Sequence, residues 1–262
     1  MMNNIIVTGC SYSTKAGVRS SYVDLLKLHL KNTNVTNLAW PGQSNDTIIR
    51  NVKEQIRDGV TDTLFICQLT HLHRISQFCH INQKWLDFQP AYVNTQPLLK
   101  DDKLHFEIIF WYKEKNRPPI GKGNFGAVGI YGATKHADLD LSDDITKELL
   151  DWYEKYLFYL YDDSNAFVQL NHKIDELSKQ VLDSGNEILY LYWPEVLYDS
   201  TLFDDNNFLS IDGEYSMLKW STKNKLTQKS DSHLSTEGHY KLLNNIISYI
   251  TKTSSNIPVP II

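Results

Sequence analysis

Two short stretches of this sequence, far apart along the chain, carry side chains that could together do covalent chemistry. One is Gly9-Cys10-Ser11-Tyr12-Ser13, directly after an apolar run that includes Ile5-Ile6-Val7. The other is Ser230-Asp231-Ser232-His233-Leu234-Ser235-Thr236-Glu237-Gly238-His239. A serine hydroxyl is a weak nucleophile until a base takes its proton, and imidazole is the usual base near neutral pH. Ser11 is therefore the candidate nucleophile and His233 the candidate base. Asp231 is placed to fix the imidazole tautomer and to stabilise the imidazolium. Attack on an acyl carbon creates an oxyanion that needs donors. The candidates are the backbone N–H groups of Ser11 and Gly42 and a side chain from Gln68-Leu69-Thr70-His71-Leu72-His73-Arg74. Glycine suits position 42 because backbone must come close to a ligand there.

These residues work together only if the fold gathers them, and the pattern between them describes how. Residues 4–8 read as a strand, Ser20 to Asn32 as a helix, and Val35 to Leu38 as a second strand. Ser44-Asn45-Asp46 offers N-cap residues for a helix through Arg57, with Gly59 in the position of a C-terminal stop. Thr63 to Leu69 is a continuous apolar run, which suits a parallel strand buried on both faces. Strand, helix, strand, helix, strand is the order of an α/β fold with a mainly parallel central sheet between helical layers. In such a sheet, sites form at the carboxyl ends of strands. The stretches after Val7, at Asn37 to Asn45, and at Gln68 to Arg74 would then share one rim.

The middle of the chain breaks the pattern. Residues 76–135 are rich in aromatics and turn formers and read as an insertion. Leu104 to Tyr112 looks like a strand, paired with Trp85 to Val93, and Asn116 to Gly132 reads as a long loop. Helices follow at Ile145 to about Tyr161 and at Ala166 to Ser184. Glu187 to Tyr192 is a further buried strand, stopped by Trp193-Pro194, and the last helix runs from Ser235 to Lys252. The whole is expected to be one domain over residues 1–262.

Composition narrows the function. A net charge of −5 and a pI near 6.0 argue against a nucleic-acid footprint. The 3 cysteines are too few and too odd for a disulfide framework, and Cys10 and Cys67 read as small buried residues. No basic leader precedes the first apolar run, and no window approaches the ~18 apolar residues of a membrane span. The expected location is the cytoplasm, or that of a host if the protein is viral. His71, His73 and His80 lack a cysteine or carboxylate at ligand spacing, so no metal is expected there. Pocket lining suits them better, and Gln68 and His71 are further candidates to touch substrate. Arg74 could bind an anionic group or pair with a nearby carboxylate. His239 is expected on the surface of the last helix, and the aromatic series from Trp152 to Leu160 in the core or at a contact between copies.

Taken together, these stretches resemble the SGNH (GDSL-like) hydrolases. Gly9-Cys10-Ser11-Tyr12-Ser13 resembles their first block, Asn37 through Ser44 the second, with Gly42 as its glycine, and Asp231 through His239 the fifth, including the glycine after the histidine. Cys10 stands where an aspartate is usual, and the Gly-Cys-Ser opening is similar to a branch found in phage and bacterial genomes. The third block usually carries an asparagine as an oxyanion donor. Thr70 falls at that place, with Gln68 and His71 as alternatives. The resemblance implies a three-layer α/β/α fold of the SGNH or flavodoxin-like kind and needs no cofactor. It implies an esterase acting through an acyl-enzyme on a small-molecule or glycan ester, for instance as a carbohydrate O-deacylase. The same residues would also serve an O-acyltransferase, or remain as a degenerate scaffold that binds without reacting.

Overall fold

A computed structural model describes residues 3–15, 17–72, 74–80, 83–90, 128–132, 148–149, 152–153, 155–156, 160, 162–194, 207–228 and 233–253. The chain opens with β1 (Asn4–Thr8), α1 (Tyr22–His29), β2 (Asn34–Asn37), α2 (Asn45–Arg57) and β3 (Thr63–Leu69). The inserted middle supplies β4 (Ile75–Cys79), β5 (Lys84–Pro90) and β6 (Val128–Gly132). Then come α3 (Asp163–Asp183), β7 (Glu187–Tyr192), α4 (Met217–Lys223) and α5 (Thr236–Thr253).

Strands β2-β1-β3-β7 form one sheet in that order, and every pairing within it is parallel. All residues of β3 are buried, as its unbroken apolar run requires. Successive strand residues face opposite sides of a sheet, so two cores result. On one side Ile5, Val7, Leu64 and Ile66 pack against α1, α4 and α5 through Leu26, Trp220 and Ile246. On the other, Ile6, Phe65 and Cys67 pack against α2 and α3 through Ile48, Val52, Ile174 and Leu177. The fold is therefore α/β in three layers, with the parallel sheet in the middle. No described helix is long and apolar enough to cross a membrane.

Helix boundaries follow local chemistry. Ser21 caps α1 in a reciprocal box with Asp24, so the helix starts after Ser20. Ser44 caps α2 by accepting from the Thr47 N–H. Asp162 caps α3 by accepting from Asn165, which starts that helix before Ala166. Gly59 and Gly185 end α2 and α3 with positive φ, 83° and 73°. The short helix α4 carries no sequence signal strong enough to have been read.

The insertion is antiparallel β structure, as expected, and β5 matches the strand expected from Trp85; its partner strands differ from expectation. It forms a separate antiparallel sheet, β4-β5-β6. Val128–Gly132, expected as loop, is a strand. Its glycines mark turns in a sequence reading, but pairing with β5 supplies the hydrogen bonds that a loop would lack. Among the described residues β5 pairs with β4 and β6; Leu104 to Tyr112, expected beside it, lies outside them. In the aromatic series from Trp152 to Leu160, Tyr153 is buried with its ring 5.3 Å from Phe88, whereas Trp152 and Leu160 are exposed, so the core expectation holds for Tyr153 and not for those two.

Candidate active site

β1 delivers the turn that carries Ser11, the candidate nucleophile, to the carboxyl rim of the sheet. Its register with β3 pairs Thr8 with Cys67, so the next residue, Gly9, lies beside Gln68. The approach is close: a Cβ on Gly9 would sit 2.8 Å from Gln68 Cβ and 2.9 Å from Ser13 Oγ. Any larger residue would push the turn away from β3. Ser11–Ser13 then form a single 3-10 turn, closed by Ser13 N–H to Cys10 O at 3.0 Å and Thr14 N–H to Ser11 O at 3.1 Å.

Gln68 holds this turn from below. Its Oε1 accepts from Cys10 N–H (3.0 Å), the Cys10 thiol (3.3 Å) and Ser13 Oγ (3.4 Å). Its Nε2 donates to Leu69 O at 2.7 Å. Gln68 is 2 % exposed, so the side chain expected to touch substrate is built into the support of the nucleophile turn. Asn37, at the end of β2, adds a second tie by donating to Ser13 O at 3.1 Å.

The candidate base comes from a segment far along the chain. His233 Nε2 lies 2.8 Å from Ser11 Oγ. A short β-bridge, Thr227 to Leu234, fixes the segment that carries it. Gln228 N–H donates to His233 O and Ser235 N–H to Leu226 O, both at 2.7 Å. Ser235 starts α5, its Oγ accepting from Gly238 N–H at 3.2 Å. Gly238 is obligatory for packing: a Cβ there would lie 2.5 Å from Leu226 O. The His233 ring packs 4.6 Å from that of Tyr12, and the Tyr12 ring stacks on Trp193 at 3.6 Å. Trp193 follows β7 on the same rim, a strand end that the carboxyl-end rule points to, although sequence reading assigned it no role. Asp231, the expected orienter of the imidazole, lies outside the described residues, as does His73.

The remaining expected residues divide. Gly42 is buried with φ 86°, a conformation that favours glycine. Thr70, at the end of β3, is fully buried, and its Oγ1 has no hydrogen-bond partner among the described residues. Its backbone is held by Asn45: Thr70 N–H donates to Oδ1 at 2.8 Å and Asn45 Nδ2 donates to Thr70 O at 3.0 Å. His71 is partly exposed and Arg74 buried, joined by Arg74 N–H to His71 O at 3.3 Å.

His239 contradicts expectation. It is 2 % exposed, and its Nδ1 accepts from the Tyr22 N–H at 3.1 Å. That N–H belongs to the first turn of α1, where no helical acceptor exists, so a neutral imidazole from α5 fills the gap. Burial first, and His233 second, pushes its pKa down to about 4. Cys10 and Cys67 are buried free thiols, as expected.

A parallel α/β sheet that brings a serine and a histidine into hydrogen-bond contact on its carboxyl rim is an arrangement able to perform nucleophilic acyl chemistry. The protein YxiM from Bacillus subtilis superposes on 99% of this chain and 58% of its own, with TM-score 0.46 and 11% identity; this chain thus spans 58% of that structure's length. A member of the lipolytic protein G-D-S-L family from Veillonella parvula superposes on 97% of this chain and 99% of its own, with TM-score 0.33 and 11% identity. No protein-family model matches the sequence, and no curated protein matches it. Likenesses of this size do not assign an activity.

Proposed function

We propose that the protein is a serine hydrolase of the SGNH type that cleaves a small-molecule or glycan ester through an acyl-enzyme. The observation that carries the reading is the 2.8 Å contact between Ser11 Oγ and His233 Nε2. It is the geometry a general base needs to take the hydroxyl proton. In this mechanism Ser11 Oγ bonds to the acyl carbon while its proton passes to His233. The tetrahedral intermediate collapses, and His233 returns the proton to the departing alcohol. Water then attacks the acyl-enzyme with His233 again as base, releasing the acid and free Ser11. Asp231 orients the imidazole, and Ser11 N–H, Gly42 N–H and the Thr70 hydroxyl receive the oxyanion. The positive φ of Gly42, 86°, and the unpartnered Thr70 hydroxyl favour those two assignments.

A fluorophosphonate probe tests this without knowledge of the substrate. Labelling is expected at Ser11, lost in Ser11→Ala and strongly reduced in His233→Ala, with both variants folded by circular dichroism. Labelling of a different serine, or none in the wild type, refutes the nucleophile and leaves a binding scaffold as the better account.

A further inference from the structure

Among the described residues the second sheet meets α2 through Ser76 on β4 and through Trp85 and Asp87 on β5, and of these Asp87 reaches the first turn at Ser44. Asp87, on β5, is fully buried, and its Oδ1 accepts from Ser44 N–H (3.2 Å), Ser44 Oγ (2.6 Å) and Thr47 Oγ1 (2.7 Å). Its Oδ2 has no hydrogen-bond partner among the described residues. Burying a carboxyl is costly unless its contacts compensate. Here burial raises the carboxyl pKa against the opposing pull of these hydrogen bonds and of Arg50. The group sits in an expensive place, and what it holds is the start of α2. Gly42 lies two residues before Ser44, and Asn45, the residue after it, grips the Thr70 backbone from both sides. Both candidate oxyanion donors beyond the nucleophile turn therefore depend on where Ser44 and Asn45 are fixed.

We infer that Asp87 is a positioning residue, by which the inserted sheet clamps the α2 N-terminus and so sets the Gly42 and Thr70 donors. Its catalytic part rests on the hydrolase reading; the clamp itself does not. Asp87→Asn keeps the Oδ1 acceptor, whereas Asp87→Ala removes it.

The experiment pairs hydrogen exchange at amides 40–47 with the rate of probe labelling at Ser11, in wild type and both variants. Asp87→Ala should speed exchange across 40–47 while β1 and β3 stay protected. It should slow labelling about 10- to 100-fold, the usual effect of a small misplacement, and Asp87→Asn should restore both. Unchanged exchange at 40–47 in Asp87→Ala overturns the clamp, and unchanged labelling overturns its role in the reaction. Exchange needs no turnover, so it decides the clamp even where Ser11 proves unreactive. Should Asp87→Ala fail to fold, Thr47→Val removes the Thr47 hydrogen bond to Asp87 from the other side while leaving the Ser44 cap in place, and it is read by the same two measurements.

Discussion

Thr70 carries the sharpest test at the scale of single residues. Its hydroxyl is buried without a partner among the described residues, which is an unusual state for a polar group. A donor reserved for a charge that exists only during reaction would be left in that state. Thr70→Val nearly preserves shape and removes the donor, so turnover should fall about 10- to 1,000-fold with KM little changed. Steady-state kinetics on a short p-nitrophenyl ester decides it, and a silent Thr70→Val removes Thr70 from the mechanism. The Ser11–His233 pair was legible in the sequence because Ser11 follows the end of β1 and His233 precedes the start of α5, both recognisable boundaries. The work of Gln68 was not, because a glutamine offers donors and an acceptor alike. Only the β1–β3 register shows that the acceptor faces the turn. Tyr12 and Trp193 were hidden for a related reason: their contact joins residues distant in sequence, and nothing local reports it.

At the scale of elements, the contact between α1 and α5 makes a statement about acid. His239 accepts from Tyr22 N–H only while neutral, and its pKa falls from 6.5 to about 4 in the folded protein. Between those values the unfolded chain binds more protons at this site than the folded one. The resulting stability is complete above pH 6.5 and is lost as pH falls toward 4. His239→Gln supplies an acceptor that does not titrate. Its thermal midpoint should drop less than that of the wild type between pH 7 and pH 4.5; equal drops would show that His239 is not the linked group. The strands and helices of the central sheet were readable from apolar spacing and caps, usually to within a few residues. His239 was misplaced because its polarity suggested solvent, whereas the fold uses it to finish another helix. β6 was missed because its glycines outweigh its short apolar pattern until a partner strand is present.

At the scale of the whole molecule, the central sheet separates two cores among the described residues, and that arrangement predicts how damage combines. Leu26 and Ile174 are each fully buried, on opposite faces. Leu26→Ala and Ile174→Ala should each cost about 2–5 kcal/mol, and in the double variant the losses should add to within about 0.5 kcal/mol. Urea denaturation of the three variants measures this, and a larger discrepancy would mean that the sheet transmits strain between its faces. The layered fold was legible because βαβ order leaves few arrangements open; the docking of the inserted sheet was not, since it turns on a buried carboxyl meeting a helix start. The separation of the reacting pair along the chain has a consequence in time. Ser11 and His233 stand 222 positions apart. At a synthesis rate of about 5–20 residues per second, the base emerges roughly 10–45 s after the nucleophile. On the hydrolase reading the nascent chain would carry an inert serine throughout that interval, and reactivity would appear only once the His233 segment docks beside Ser11. Onset of probe labelling in a cell-free translation reaction would therefore mark the moment at which the two ends of the chain meet.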